Sequence, residues 1–267
     1  MSEAEWFDLD GVRLRTEPAR DACFRVVRKD VEMEEYEGGS EAGVQEMLHR
    51  HMTNEITSID IAAQMLVDFP DAPWELRMEL ARQCWDETRH VAVLYRRLRE
   101  LGGFKGQFPI SAFEWCVTTA LDTIVGRLTT QNRTLEAGAM DIVGGLHRSV
   151  RASGDAQTAD ILEGILADEV QHVRFANRWI KKLTSEQPRL LMKVAMAVRF
   201  LAEANSKVVA RAGDANIAGH VFDSPEARIP AVNVEDRKLA GFTEEEVHEI
   251  LRQAGFRSLI PEEAPAP

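Results

Sequence analysis

The sequence predicts an all-α protein built around a four-helix bundle, and three observations carry that prediction. Helix formers (Ala, Leu, Glu, Arg, Met) dominate the 267 residues, hydrophobic content is 45%, and long β-branched runs are missing. Four long segments repeat apolar residues at 3- and 4-residue steps, as a helix with one buried face does. Two of them carry the same motif, as Asp86-Glu87-Thr88-Arg89-His90 and Asp168-Glu169-Val170-Gln171-His172.

Residues 1–40 read as an N-terminal extension, with a small hairpin at Trp6 to Leu14 around Asp10-Gly11. Gly38-Gly39-Ser40 breaks the chain before the first long helix. That helix is predicted over about Glu41 to Phe69, where Leu48, Met52, Glu55, Ile59, Ala62, Leu66 and Phe69 share a face. The second runs from about Pro73, suited to its first turn, to Leu101, and Gly102-Gly103 ends it. Its inward row is Leu76, Leu80, Cys84, Glu87, Val91, Leu94 and Leu98. Residues 102–121 form a link with a short helix from Ala112.

The third long helix is predicted over about Asp122 to Arg151, with Val125, Leu128, Asn132, Glu136, Ala139, Val143, Leu146 and Val150 inward. After a turn at Ser153-Gly154-Asp155, the fourth covers about Gln157 to Leu183, with Leu162, Ile165, Glu169, His172, Ala176 and Trp179 inward. The bundle is thus expected over residues 41–184 and a helical C-terminal extension over 185–257. The extension should hold a fifth helix from Gln187 to Arg211, loop over 212–240, and a last helix to about Ala254. Thr243 and Glu246 fit a capping box at its start, and residues 258–267 should be disordered.

Antiparallel neighbours can share a metal only if their ligands lie at equal height above the turn. Glu55 lies 15 residues before Pro70 and Glu87 lies 14 after Pro73. Glu136 lies 17 before Ser153 and Glu169 lies 14 after Asp155. Both hairpins match to within about one turn, ~5 Å. The middle connection does not match. Glu87 is 14 residues before Leu101, whereas Glu136 is 25 beyond Ser111, a difference of 11 residues or ~16 Å. The chain over 102–121 must therefore cross back along the bundle, which an extended strand of ~3.3 Å per residue can do. The offsets of 81 residues (Glu55 to Glu136) and 82 (Glu87 to Glu169) suggest a duplicated helix pair.

The order Glu, Glu-x-x-His, Glu, Glu-x-x-His is the ligand order of a dinuclear carboxylate site in a four-helix bundle. A carboxylate on a buried apolar face costs several kcal/mol unless it is paired or metal-bound. Four together would repel, and two divalent cations nearly cancel them. The candidate catalytic and metal-ligating residues are Glu55, Glu87, His90, Glu136, Glu169 and His172. Glu87 and Glu169 should bridge or chelate, His90 and His172 cap one ion each, and Glu55 and Glu136 complete the shell. Oxygen and imidazole donors suit iron or manganese.

Asp86 and Asp168 could accept the free ring N–H of a ligand histidine. The bland alternative is buried Glu–Arg pairing, with Arg89, Arg133 and Arg174 available. Two more Glu-x-x-His pairs, Glu46…His49 and Glu245…His248, read as helix-surface accidents. His51, one turn before Glu55, reads as supporting or solvent-facing, His147 as too distant to ligate, and Tyr95 as a packed aromatic.

The formal net charge of −12 makes nucleic acid a poor default partner, and Arg96, Arg97 and Arg99 read as a solvated helix face. Cys23, Cys84 and Cys116 form no C-x-x-C pair, which argues against zinc ribbons and iron–sulfur clusters and fits a reducing cytoplasm. The acidic N-terminus lacks a signal-peptide core, and no apolar run reaches the ~18 residues of a membrane span.

At the two motifs the chain resembles the ferritin-like di-iron carboxylate superfamily, which includes bacterioferritin, rubrerythrin and bacterial multicomponent monooxygenases. Asp-Glu-Thr-Arg-His resembles the second-helix motif of its oxygenase branch. NEITSIDIAAQMLVDFPDAP, DETRHVAVLYRRLRELGG, EAGAMD and DEVQHVRFANRW resemble a bacterial ferritin-like family of unassigned function, itself distantly similar to a tRNA hydroxylase acting on a modified adenosine. The resemblance covers about residues 45–183 and meets all six candidate ligands; it departs at Asn54, where a histidine is expected.

It implies a ferritin-like bundle and a di-iron, O2-dependent oxidase or oxygenase acting on a small organic substrate. Manganese or a mixed pair could replace iron. Electrons would come from an external donor, because no flavin or iron–sulfur motif is visible. A homodimer is compatible with it. The alternatives are a ferroxidase or iron-handling protein, a tRNA-modifying hydroxylase, and a helical scaffold with a vestigial site.

Overall fold

The computed structural model describes residues 6–29, 32–34, 36–37, 39–208 and 232–256. Strands β1 (Trp6–Leu9) and β2 (Val12–Arg15) pair antiparallel. Asp10 (φ 50) and Gly11 (φ 87) take the left-handed backbone that closes so tight a hairpin, as the Asp-Gly pair predicts. Buried Val12 and Leu14 dock the hairpin on one end of the helical core. A short strand β3 (Val26–Val27) follows.

Helix α1 (Glu41–Asp68) starts where the sequence predicts, with the Ser40 side chain accepting from the Gly43 N–H. Helix α2 (Trp74–Glu100) runs antiparallel to it, with Pro73 at the N-cap rather than in the first turn. The chain then forms β4 (Ile110–Ser111), parallel to β3, and α3 (Phe113–Thr119). The next rod joins α4 (Ile124–Leu128), a π-helical segment (Thr129–Glu136) and α5 (Ala137–Ala152). Helix α6 (Ala156–Glu186) begins on an Asp155 cap.

Two ion pairs fix the topology. Arg97 at the end of α2 holds Asp155 at the start of α6, with both oxygens at 3.0 Å. Arg127 in α4 meets Asp68 at the end of α1, at 2.7 Å. The link from Leu101 to Thr123 therefore starts at one end of the bundle and finishes at the other, the long crossover that the ligand heights require.

The π segment is a departure from the straight α-helix expected over 122–151. The Thr134 hydroxyl donates to Thr129 O at 2.7 Å, and the Ala137 N–H reaches Asn132 O, both five residues back. The wider turn buries Thr129, Thr130, Gln131 and Asn132 in succession, which no regular α-helix face does. A pattern read at 3.6 residues per turn cannot reveal it.

Helix α7 (Leu190–Val208) buries Leu201 and Ala204 against the β1–β2 end of the core, and residues 209–211 of the expected fifth helix lie outside the described residues. The expected loop over 212–240 needs a correction. Val234–Leu239 is a helix, α8, because Asn233 caps it and Arg237 anchors it to Asp141; residues 212–231 lie outside the described residues. Helix α9 (Glu244–Gln253) carries the predicted capping box, and the tail at 258–267 lies outside the described residues. Two further expectations fail. Glu46 and His49 are buried, at 5% and 0% exposure: the crossover covers His49, and Glu46 pairs with Arg50. Tyr95 is 38% exposed rather than packed.

The interior is layered. One apolar cluster holds Ile61, Met65, Leu76, Leu80 and Leu128, and another holds Leu48, Met52, Leu94, Leu98 and Leu162. Between them lies a buried polar layer containing Glu55, Glu87, His90, Glu136, Glu169 and His172. No described helix is long and apolar enough to cross a membrane.

Candidate metal centre

All six sequence-predicted side chains meet in that layer. They form two overlapping groups, each with its ligand atoms within 4.8 Å of one another: Glu55, Glu87, His90 and Glu169, and Glu87, Glu136, Glu169 and His172. Either group could hold a metal ion, and Glu87 and Glu169 belong to both. The sharing follows from helix geometry. Glu87 and His90 lie three residues apart on α2, Glu169 and His172 three apart on α6, and each pair covers one turn of one face.

The histidines point Nδ1 at the carboxylates. His90 Nδ1 lies 2.9 Å from Glu87, 3.5 Å from Glu55 and 3.6 Å from Glu169. His172 Nδ1 lies 3.3 Å from Glu87 and 3.4 Å from Glu169, and forms no hydrogen bond despite full burial. The opposite nitrogens reach across the helix pair. His90 Nε2 on α2 meets Asp168 on α6 at 3.2 Å, and His172 Nε2 on α6 meets Asp86 on α2 at 3.4 Å. Each motif's leading Asp thus orients the other motif's His. Arg89 bridges the two aspartates, at 2.5 Å to Asp86 and 2.9 Å to Asp168.

The remaining carboxylates are held differently. Glu55 takes a contact from His51 Nε2 at 2.8 Å, so His51 supports a candidate ligand. Glu136 accepts from Gln83 at 2.5 Å and Asn132 at 2.7 Å, and Asn132 also donates to the Gln83 carbonyl at 3.1 Å. Gln83 was absent from the inward row read from the sequence. Its signal was present, since it sits one turn before Glu87 as Asn132 sits one turn before Glu136.

Ionisation reflects crowding. Burial, then the charges of Glu169 and Glu55, push Glu87 well above the usual carboxylate range. Burial and Glu169 push Glu136 up to about 8. Burial works to raise Glu55 too, but hydrogen bonds from His51 and His90 more than offset it and hold it low. Burial works to lower His90, but Glu55 and Glu87 raise it to about 11.

The residues fit a pair of cations. Four carboxylates face two imidazoles, which leaves an excess of negative charge even with both rings protonated. Among the described residues no Lys or Arg pairs with any of the four. The arginines of the bland alternative are engaged elsewhere: Arg89 with the aspartates, Arg133 with Glu246, and Arg174 with Leu239 O. The unpartnered Nδ1 of His172 is a lone pair or proton aimed at the carboxylates. His147 sits far away beside Arg151, and the Glu245…His248 pair stays on the surface of α9.

A cavity of about 350 Å³ opens beside Glu55, Glu136 and Glu169. It lies between α1 and α5, with Met47, Leu135, Ile142 and Leu146 on its walls. Glu114 of α3 also lines it, and burial followed by the charges of Glu55 and Glu169 raises its carboxyl to about 7. Glu114 was not visible in the sequence, because spacing along one helix says nothing of what a neighbouring element brings to the gap.

A search of curated proteins found no match. The chain does match, over residues 3–248, the family described as Protein of unknown function (DUF455), and it belongs to that family.

Proposed function

We propose that this protein is a dinuclear-metal oxidoreductase of ferritin-like architecture, a di-iron oxidase or oxygenase that uses O2 on a small organic substrate. The observation that carries the reading is the double membership of Glu87 and Glu169 in both four-residue groups. One ion would take Glu55 and His90, its neighbour Glu136 and His172, and the shared carboxylates would bridge them. Ferrous ions bound there would supply electrons and open coordination positions for O2. Insertion of one oxygen atom into a C–H bond, with the second leaving as water, needs two further electrons and two protons. An external donor would deliver the electrons.

The chain's own groups do the rest. Asp168 and Asp86 fix the tautomer of His90 and His172 by accepting their Nε2 protons, which leaves each Nδ1 free to ligate. Gln83 and Asn132 hold Glu136 in place, and His51 holds Glu55. Glu114, raised by burial to about 7, is about half protonated near neutral pH within the cavity and can exchange a proton with a group reacting there. The cavity favours this reading over iron storage, because iron oxidation alone needs no apolar chamber.

The test is anaerobic loading with ferrous iron, then exposure to O2. About two irons per chain, optical changes on O2 exposure, and both lost in Glu87→Ala support the proposal. Full iron binding and O2 reaction in Glu87→Ala refute it. Mineral accumulation with iron as the only species oxidised assigns the protein to iron handling instead.

A further inference from the structure

We propose that the cavity between α1 and α5 is a chamber for an uncharged, elongated, mainly apolar molecule, held open by Gly138. The chemistry done on that molecule rests on the dinuclear reading; the shape and polarity of the chamber do not.

The chamber begins at the carboxylates and continues away from them between Met47 of α1 and Ile142, Val143 and Leu146 of α5. Leu146 lies ten residues beyond Glu136, so this apolar arm extends ~15 Å. An extended alkyl chain advances ~1.25 Å per bond, so a ten-carbon alcohol of about 12 Å fits within that length.

Two acidic groups on the wall of the arm already sit in ion pairs. Glu46 pairs with Arg50 at 2.6 Å, and Asp141 with Arg237 at 2.6 Å. A charged head group would have to compete with one of these pairs or sit unpaired against apolar walls, and both cost free energy. An anion would also meet the ionised carboxylate of Glu55.

Gly138 shows that the space is kept. It lies in the first turn of α5, half-buried on the cavity wall, and a Cβ placed there meets nothing within 4 Å. Glycine in a helix costs about 1 kcal/mol relative to alanine. Protein interiors are otherwise close-packed. At Gly138 the sequence forgoes helix stability although a side chain would meet no neighbour; what it gains is width beside the carboxylates.

The experiment measures binding of 1-decanol, decanoate and decylammonium to the full chain, by calorimetry and by thermal stabilisation. The expected result is decanol binding at least about tenfold tighter than either charged probe. Gly138→Leu should weaken decanol binding at least about tenfold, with iron stoichiometry kept and Tm equal or higher. Ala139→Leu, on the same wall, repeats the block should Gly138→Leu fail to fold. Tighter binding of a charged probe, no decanol binding by iron-loaded protein, or unchanged decanol binding in a folded blocking variant overturns the proposal. Decanol binding with this pattern in a protein that takes up no iron keeps the chamber and refutes the dinuclear reading.

Discussion

The two halves of the buried site match ligand for ligand and differ in what holds each ligand. Glu55, on the regular helix α1, is held by imidazoles and stays low in pKa. Glu136, at the end of the π segment, is held by the amides of Gln83 and Asn132 and rises to about 8. Charged donors keep a buried carboxylate ionised against desolvation; neutral amides orient it without offsetting that cost. The same contrast extends outward. Five residues beyond each Glu stands an aspartate, Asp60 and Asp141, and each is clamped by an arginine from a different extension. Arg20 from the N-terminal region takes Asp60, and Arg237 from α8 takes Asp141. The two halves thus carry unlike supports, so the two candidate ion positions of the proposed centre would be chemically distinct although their candidate ligands are the same residue types.

The sharpest way to break this comparison is to remove a shared ligand and an unshared one. Glu169→Ala should abolish both ions, whereas Glu55→Ala or Glu136→Ala should leave one per chain; metal content after reconstitution decides. A site in which Glu169→Ala still holds one ion would not be built on shared carboxylates.

The two clamps give the next largest effect. Arg237→Leu leaves Asp141 buried and unpaired and should cost about 3–5 kcal/mol by denaturant unfolding. Arg20→Leu exposes an aspartate already 32% accessible and should cost about 1 kcal/mol or less. Equal losses would mean that the halves are anchored alike.

A pH dependence separates them further. His49 on α1 accepts the Gly106 N–H at 3.0 Å between the rings of Phe24 and Phe108, and burial lowers it to about 4. The position 81 residues later is Thr130, which cannot titrate. The unfolded chain takes up its proton near pH 6.5 and the folded chain only near 4, so the unfolded state binds more protons in between. Stability should therefore fall as pH drops through that window, by roughly 3 kcal/mol at its lower end. His49→Gln, which keeps an acceptor for Gly106, should flatten that part of the profile. An unchanged slope would remove His49 as its source.

The smallest effect probes the crossed aspartates. Asp168→Asn should weaken the ion held by His90, and Asp86→Asn the ion held by His172, by about 10–100-fold each. Calorimetric titration of each variant would show whether the losses fall on separate binding steps.

Much of the fold was legible because its determinants are local. The Asp10-Gly11 turn, the Thr243 capping box and the four apolar stripes are all properties of neighbouring residues. The crossover was legible for another reason: ligand heights along rigid helices leave the chain over 102–121 only one way to run. His49 was misread because its burial comes from the crossover loop, 57 residues away at Gly106. The short helix α8 escaped notice because its anchor, Asp141, lies 96 residues away from Arg237.

The sequence by itself determined which side chains share a helix face, since a period of 3.6 residues brings Glu87 and His90, or Glu169 and His172, onto one turn wherever that helix packs. Only the tertiary structure decided that each aspartate reaches the opposite motif's histidine, that a π turn rephases the helix bearing Glu136, and that α1 and α5 stand apart around a chamber. Those outcomes depend on the phase and separation of whole helices, which are set by everything packed around them and by no single stretch of chain.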